Sequence, residues 1–218
     1  MCGVTGIIVK SNPIYASRVY YDLLKASEIR GQDGTGITRL RNGEFFTEKW
    51  NTKVSKISPS AIFKIISLKV GDRVIAQNRY AIFGLGHEND QPLLTNKIAL
   101  VHNGVLYDYE KQFKDIQERE DIRLDRKLKV DTELLLRLSD FYYPDMNIVL
   151  RAFQGEATCL ILSNTTYPFI AFMKNKILYS GEDKYGNIYF FSTMYIKNKV
   201  PQICKNIYEF KNNDIKYY

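Results

Sequence analysis

The first ten residues, Met1-Cys2-Gly3-Val4-Thr5-Gly6-Ile7-Ile8-Val9-Lys10, set the reading of everything that follows. Val4 to Val9 is a short apolar run rich in β-branched residues and interrupted only by glycine, the pattern of a buried strand. A small second residue permits removal of the initiator methionine, which leaves Cys2 with both a thiol and a free α-amine. In solution that amine titrates near about 7.7–8.0 and the thiol near about 8.5, so a proton passes between them at little cost. One residue then serves as nucleophile and base together, with no histidine partner. A cysteine at position two says little by itself. The clusters downstream give it meaning.

Working outward, Asn12 and Pro13 read as the cap and first residue of a helix whose apolar positions are Val19, Leu23, Leu24 and Ala26. It stops at Arg30-Gly31, and the loop Gly31-Gln32-Asp33-Gly34-Thr35-Gly36 follows. Asn42-Gly43, between Ile37–Leu40 and Phe45–Trp50, is a hairpin signal. Ser58-Pro59-Ser60 opens a second helix through Leu68. Arg73–Gln77 and Ile98–Val101 read as strands, Thr132–Phe141 as a helix ended by Pro144, and Met146–Phe153 as another. The stretch Tyr107–Arg137 is polar and charged, and within it only the helix from Thr132 is clear. From Gly155 the chain turns β-rich, over Ala157–Leu162, Pro168–Met173, Lys176–Tyr179 and Asn187–Ser192. Strands, helices and strands again, with no linker or repeat between them, predict one α+β domain over residues 1–218 with helices on layered antiparallel sheets. Residues 198–218 read as a short lysine-rich tail.

Four polar clusters sit at the edges of these apolar runs. Arg79, in Asn78-Arg79-Tyr80, stands at a strand end, where a guanidinium can clamp a carboxylate bidentately. In Val101-His102-Asn103-Gly104, a side-chain amide and the next backbone N–H form a candidate oxyanion hole. Asp131, in Val130-Asp131-Thr132-Glu133, opens a helix and reads most simply as its N-cap. Arg30–Gly36 is a glycine-rich loop. Judged singly, each is ordinary structure: a turn, a surface arginine, a cap.

Taken in order, the clusters resemble the class II glutamine amidotransferases, the N-terminal-nucleophile glutaminases joined to phosphoribosyl, glucosamine and asparagine synthases. Residues 1–7 are similar to the family's MCGIxGI start, and Arg30–Ile37 to its RGxDxxGI loop. Asn78 to Gly84 is similar to TRYxxxG, and Asn89-Asp90-Gln91-Pro92-Leu93 to N-x-Q-P-[FL]. His102-Asn103-Gly104 corresponds to HNG, Asp131-Thr132-Glu133 to DTE, and Gly155-Glu156-Ala157 to the GAYAL region. The resemblance implies a four-layer αββα Ntn-hydrolase sandwich of two antiparallel sheets covered by helices. It implies Cys2 as nucleophile and its amine as base, with Asn103 and the Gly104 N–H on the oxyanion. Arg79 and Asp131 would then hold the carboxylate and ammonium of L-glutamine. Members usually carry threonine, or Thr-His, after the arginine segment. Here Ile82 and Phe83 stand there, so one polar contact to glutamine is missing or comes from elsewhere. Asn78 also replaces the usual Thr or Val. The loop Gly84–Pro92 is the expected lid.

Composition narrows the rest. No apolar run reaches the ~20 residues needed to cross a bilayer, and the N-terminus lacks the basic leader of a signal peptide. A cytoplasmic setting is expected. Two histidines, His87 and His102, and three cysteines without a CxxC pair give no metal site, disulfide framework or cofactor. Cys159 lies inside an apolar strand and reads as core; Cys204 has no local base. The 31 basic residues against 24 acidic ones give +7. They alternate along the chain, which favours a solvated surface over a nucleic-acid site. A separate synthase that accepts the ammonia is the expected partner, and the Lys-, Asn-, Ile- and Tyr-rich composition fits an AT-rich genome such as a phage's. A silent scaffold of the same fold, and an Ntn amidase acting on another amide, are the alternative readings.

Overall fold

The computed structural model describes residues 2–81, 87–193, 195–196 and 204–218. In chain order the elements are β1 (Gly3–Ile8), α1 (Pro13–Ser27), β2 (Gly34–Arg41), β3 (Glu44–Trp50), α2 (Pro59–Ile66), β4 (Arg73–Arg79), β5 (Leu93–Leu94) and β6 (Ile98–Leu106). There follow α3 (Tyr109–Glu120), α4 (Thr132–Tyr142), α5 (Met146–Ala152), β7 (Gly155–Ser163), β8 (Phe169–Lys174), β9 (Tyr179–Asp183), β10 (Ile188–Phe191), β11 (Cys204–Glu209) and β12 (Ile215–Tyr217). A seven-stranded sheet runs β11-β9-β10-β1-β4-β2-β3, and a five-stranded sheet β12-β8-β7-β6-β5. Neighbouring strands are antiparallel in both.

Alternation along each strand sends one set of side chains between the sheets and the other toward helices. From the seven-stranded sheet, Ile7, Ile37, Val74 and Ala76 pack outward on α1 (Val19, Tyr20, Leu24) and α2 (Ile62, Ile66). From the five-stranded sheet, Leu100, Cys159, Ile161 and Phe172 pack outward on α3, α4 and α5. Between the sheets lie Val4, Ile8, Ile75, Val101, Leu160 and Phe169. The result is four layers, αββα. Phe169 and Phe190 stack across the middle with ring centroids 4.5 Å apart.

Local chemistry sets the ends of the elements. The side chain of Asn12 accepts the Tyr15 N–H at 3.3 Å, with Pro13 at the first turn of α1. The helix stops at Ser27, and a 3-10 turn, Glu28–Arg30, completes the approach to Gly31. Asn42 and Gly43 take φ of 53° and 80°, the left-handed pair of a two-residue hairpin turn between β2 and β3.

Several elements differ from expectation. Strand β6 runs on to Leu106, so His102-Asn103-Gly104 lies within a strand and not in a turn behind one. Pairing with β7 (His102 with Cys159, Asn103 with Thr158, Gly104 with Ala157) overrides the local Asn-Gly preference. Strand β4 likewise reaches Arg79. Helix α3 stands in the polar stretch after Tyr107, and the strand expected at Lys176–Tyr179 begins only at Tyr179. Within 198–218, β11 pairs with β9 and β12 with β8, so the segment read as a tail supplies an outer strand to each sheet.

Candidate active site

Strand parity gathers the site. Val4 and Ile8 of β1 point between the sheets, and the same alternation carries back to Cys2. On β4, Ile75 points inward, and Gln77 and Arg79 share its parity. On β6, Val101 points inward and so does Asn103. Gln77 donates its Nε2 to the His102 carbonyl at 2.6 Å, which ties the two sheets together one residue before Asn103. Cys2, Arg79, Gly104 and Asp131 line one cavity, with Tyr80, Gln91, Thr132 and Lys176. Asn103 lines the adjoining cavity with Arg30, Ser192 and Lys176, and Lys176 belongs to both. The Asn103 Oδ1 is buried and, among the described residues, has no hydrogen-bond partner.

The outer edge of β6 explains Gly104. Strand β5 covers only Leu100 and Ala99. Beyond it, the His102 N–H donates to Gln91 Oε1 at 2.5 Å and the Leu106 N–H to Asp131 Oδ2 at 3.0 Å. Antiparallel pairing turns every second N–H to the same side. The Gly104 N–H therefore faces this edge between those two, where the cavity opens. A Cβ at position 104 would lie 1.9 Å from the Glu156 carbonyl oxygen and 2.6 Å from His102 Nε2. Only glycine fits.

Asp131 holds the cap position of α4, but its side chain makes no capping bond. It accepts the Leu106 N–H instead, with the Thr132 hydroxyl 3.4 Å from its other oxygen. This departs from the simplest expectation: the helix keeps its place without the carboxylate, which is committed to the edge of β6. Thr132 is held by Gln91 Nε2 at 2.7 Å and by His102 Nδ1 at 3.1 Å. His102 Nε2 meets the Glu156 carbonyl at 3.3 Å, so that nitrogen carries the proton and Nδ1 accepts from Thr132. His102 is structural.

At the other wall, the Tyr80 N–H points to Cys2 Sγ at 3.4 Å. The Asp33 N–H bonds the Arg79 carbonyl at 3.0 Å, and Asp33 Oδ2 accepts the Ala81 N–H at 2.8 Å. Thus the Arg30–Ile37 loop braces the arginine segment. Asn78 turns to the opposite face, donating to the Leu24 carbonyl at 2.8 Å and to Ser27 Oγ. The Arg79 guanidinium is buried and ion-paired with Asp90. Ile82, Phe83 and the Gly84–Gly86 part of the expected lid lie outside the described residues; the remainder starts with a 3-10 turn, His87–Asn89.

Burial pushes the Cys2 thiol above its ordinary pKa, although the Tyr80 N–H and the Arg79 charge pull the other way. Burial also holds His102 below its usual value, against the pull of Asp131. Burial likewise raises Cys159 well above the thiol range and Cys204 to about 12, and both are closed into the core. Among the described residues, no group of three His, Cys, Asp or Glu could hold a metal, and no helix is long and apolar enough to cross a membrane.

The family model described as a glutamine amidotransferase domain matches residues 77–196. The chain belongs to this family. As a glutamine amidotransferase domain it is 27% identical over 169 residues to a glutamine–fructose-6-phosphate aminotransferase of Pyrococcus horikoshii, covering 74% of this chain and 27% of that protein. It is 32% identical over 142 residues to an amidophosphoribosyltransferase of Pseudomonas aeruginosa, covering 63% of this chain and 27% of the relative. The domain thus spans about a quarter of the length of these curated relatives. The solved B. subtilis glutamine phosphoribosylpyrophosphate amidotransferase superposes over 100% of this chain and 49% of its own, with a TM-score of 0.71 at 22% identity. The fold is the αββα Ntn-hydrolase sandwich. Of the amidotransferase residues expected from sequence, Cys2, Arg79, Gly104 and Asp131 share a cavity and Asn103 stands beside it. Gln91 and Thr132 were visible only as motif letters, because their bonds cross between segments. The Lys176–Glu156 pair, at 2.5 Å, left no sequence signal.

Proposed function

We propose that this domain hydrolyses L-glutamine through a thioester on Cys2 and passes the ammonia to a separate synthase that docks with it. The observation that carries the reading is that Cys2, Arg79, Gly104 and Asp131, from four separate segments, line one cavity. A free amino acid offers one anion and one cation, and Arg79 and Asp131 read both. Because burial raises the Cys2 thiol, a base must take its proton at neutral pH. His102 is committed to Thr132 and Glu156, so the α-amine left on Cys2 by loss of Met1 fills that role. Sulfur then adds to the side-chain amide carbon of glutamine while the amine holds the proton. The oxyanion settles toward the Gly104 N–H and the Asn103 amide. The C–N bond breaks as the proton moves to the leaving nitrogen, which departs as ammonia. Water cleaves the thioester to glutamate.

The test is a glutaminase assay paired with intact-mass analysis of the N-terminus. Activity should track the fraction beginning at Cys2, and Cys2→Ala should be inactive yet folded. Full turnover from protein retaining Met1 would end this mechanism. Pull-down from the native host, with glutaminase measured before and after, tests the synthase: its absence together with full activity in isolation would favour a stand-alone amidase.

A further inference from the structure

The cation assigned to substrate already has a carboxylate. Arg79 Nη1 pairs with Asp90 Oδ1, and both side chains are almost wholly buried, 8% and 4% exposed. Asp90 is fixed from behind. Lys49 Nζ of β3 donates to its carbonyl at 2.6 Å, and a Cβ on Gly34 would sit only 3.2–3.3 Å from the Asp90 carboxylate. The backbone of β2 therefore packs directly against that carboxylate. Asp90 has no room to retreat in that direction, so the guanidinium must reorient or share its hydrogen bonds when a second carboxylate arrives. Asp90 also occupies the variable position of Asn89-Asp90-Gln91-Pro92, whose flanking residues are the ones held in the site: Asn89 Oδ1 accepts the Lys129 N–H at 3.2 Å and Gln91 bridges His102 and Thr132.

We propose that Asp90 is a built-in competitor for the α-carboxylate of glutamine, a specificity-determining residue that lowers the affinity of the site for free amino acid. The proposal rests on the reading of Arg79 as the carboxylate clamp. In the ion-paired state the site presents the negative charge of Asp131 to a substrate ammonium, while the positive charge meant for the carboxylate is neutralised. Binding the carboxylate draws Arg79 wholly or partly away from Asp90, and the apparent affinity falls with the population in which the pair is closed. A substrate lacking the carboxylate is not penalised.

The experiment compares L-glutamine with its α-amide, which keeps the ammonium and side-chain amide but has no carboxylate. In the unaltered protein the two should differ in KM by less than about tenfold, and a glutamine preference of a hundredfold or more would overturn the proposal. Asp90→Asn, which keeps the shape and removes the charge, should lower KM for glutamine by roughly tenfold and leave both kcat and the KM for the α-amide in place. Asp90→Glu, which retains the competing charge, should keep the unaltered ratio, and it carries the test if the asparagine variant fails to fold; a shift of the ratio toward glutamine there would count against the proposal. A rise in glutamine KM in Asp90→Asn overturns the proposal and makes Asp90 a support for Arg79. The Asp90→Asn/Arg79→Gln double variant separates the two levels. If the tenfold gain survives in it, Arg79 is not the clamp and the underlying reading is wrong; if no gain appears in Asp90→Asn while Arg79→Gln still weakens glutamine, only the competition fails.

Discussion

Asn103 and His102 are adjacent on β6 and face opposite ways, and their substitution should be felt in opposite quantities. Asn103 points between the sheets and lines the cavity adjoining that of Cys2, with its Oδ1 unpartnered among the described residues. Asn103→Ala should lower kcat by on the order of 10²–10³, the loss typical of one oxyanion donor, with little change in melting temperature. Asp131→Asn should act mainly on glutamine KM, by removing the charge opposite the ammonium; an equal fall in kcat alone would reassign it. His102 affects stability instead. Its pKa in the fold is depressed below the value of about 6.5 in the unfolded chain. The stability this neutral histidine allows is complete above pH ~6.5. It declines as pH falls from there toward the depressed folded value, because the unfolded chain takes up a proton first. The slope contributed is at most ~1.4 kcal/mol per pH unit. Denaturant unfolding at pH 7 and pH 5 should show this loss, and His102→Asn should shrink it. An unchanged pH dependence in the variant would mean that other groups control acid unfolding.

At the scale of elements, the apolar strands and the hairpin were legible because period-two burial and turn chemistry are local signals. Helix α3 was not, since only Phe113 and Ile116 among its apolar side chains are buried and its cap residue, Asp108, makes no side-chain capping bond. The reach of β6 through His102-Asn103-Gly104 was hidden for another reason: Asn-Gly favours a turn locally, and only nine residues of pairing with β7 reverse that. Of the candidate site, Cys2 and the charged residues Arg79 and Asp131 stood out in the sequence, whereas the Gln91–Thr132–His102 bonds depend on segments brought together by folding. Strand β12 was read as tail, yet Tyr218 behind it packs on Phe190 and Phe169 with ring centroids 5.3 and 6.1 Å away. Deleting residues 213–218 should therefore cost about 3 kcal/mol, from lost aromatic contacts and burial. For a chain of this size that lowers the melting temperature by on the order of 10 °C. A calorimetric scan that matched the full chain would show that β8 does not need this neighbour.

At the scale of the whole molecule, the interlayer is apolar through most of its length and polar at one end, where Gln77 of one sheet grips the His102 carbonyl of the other. That end holds the candidate site. The same residue shows how the molecule opens. The His102 amide lies beyond the two-residue reach of β5, and its acceptor is the side chain of Gln91, in the segment that also holds Asp90. In deuterium exchange, then, this amide should not behave like its neighbours in β6, whose protection depends on separating strands. It should exchange at the rate at which the 89–92 segment lifts, faster than Leu100 or Val101, and slow when a glutamine analogue is bound. One backbone proton would thus time the breathing of the site in the intact protein.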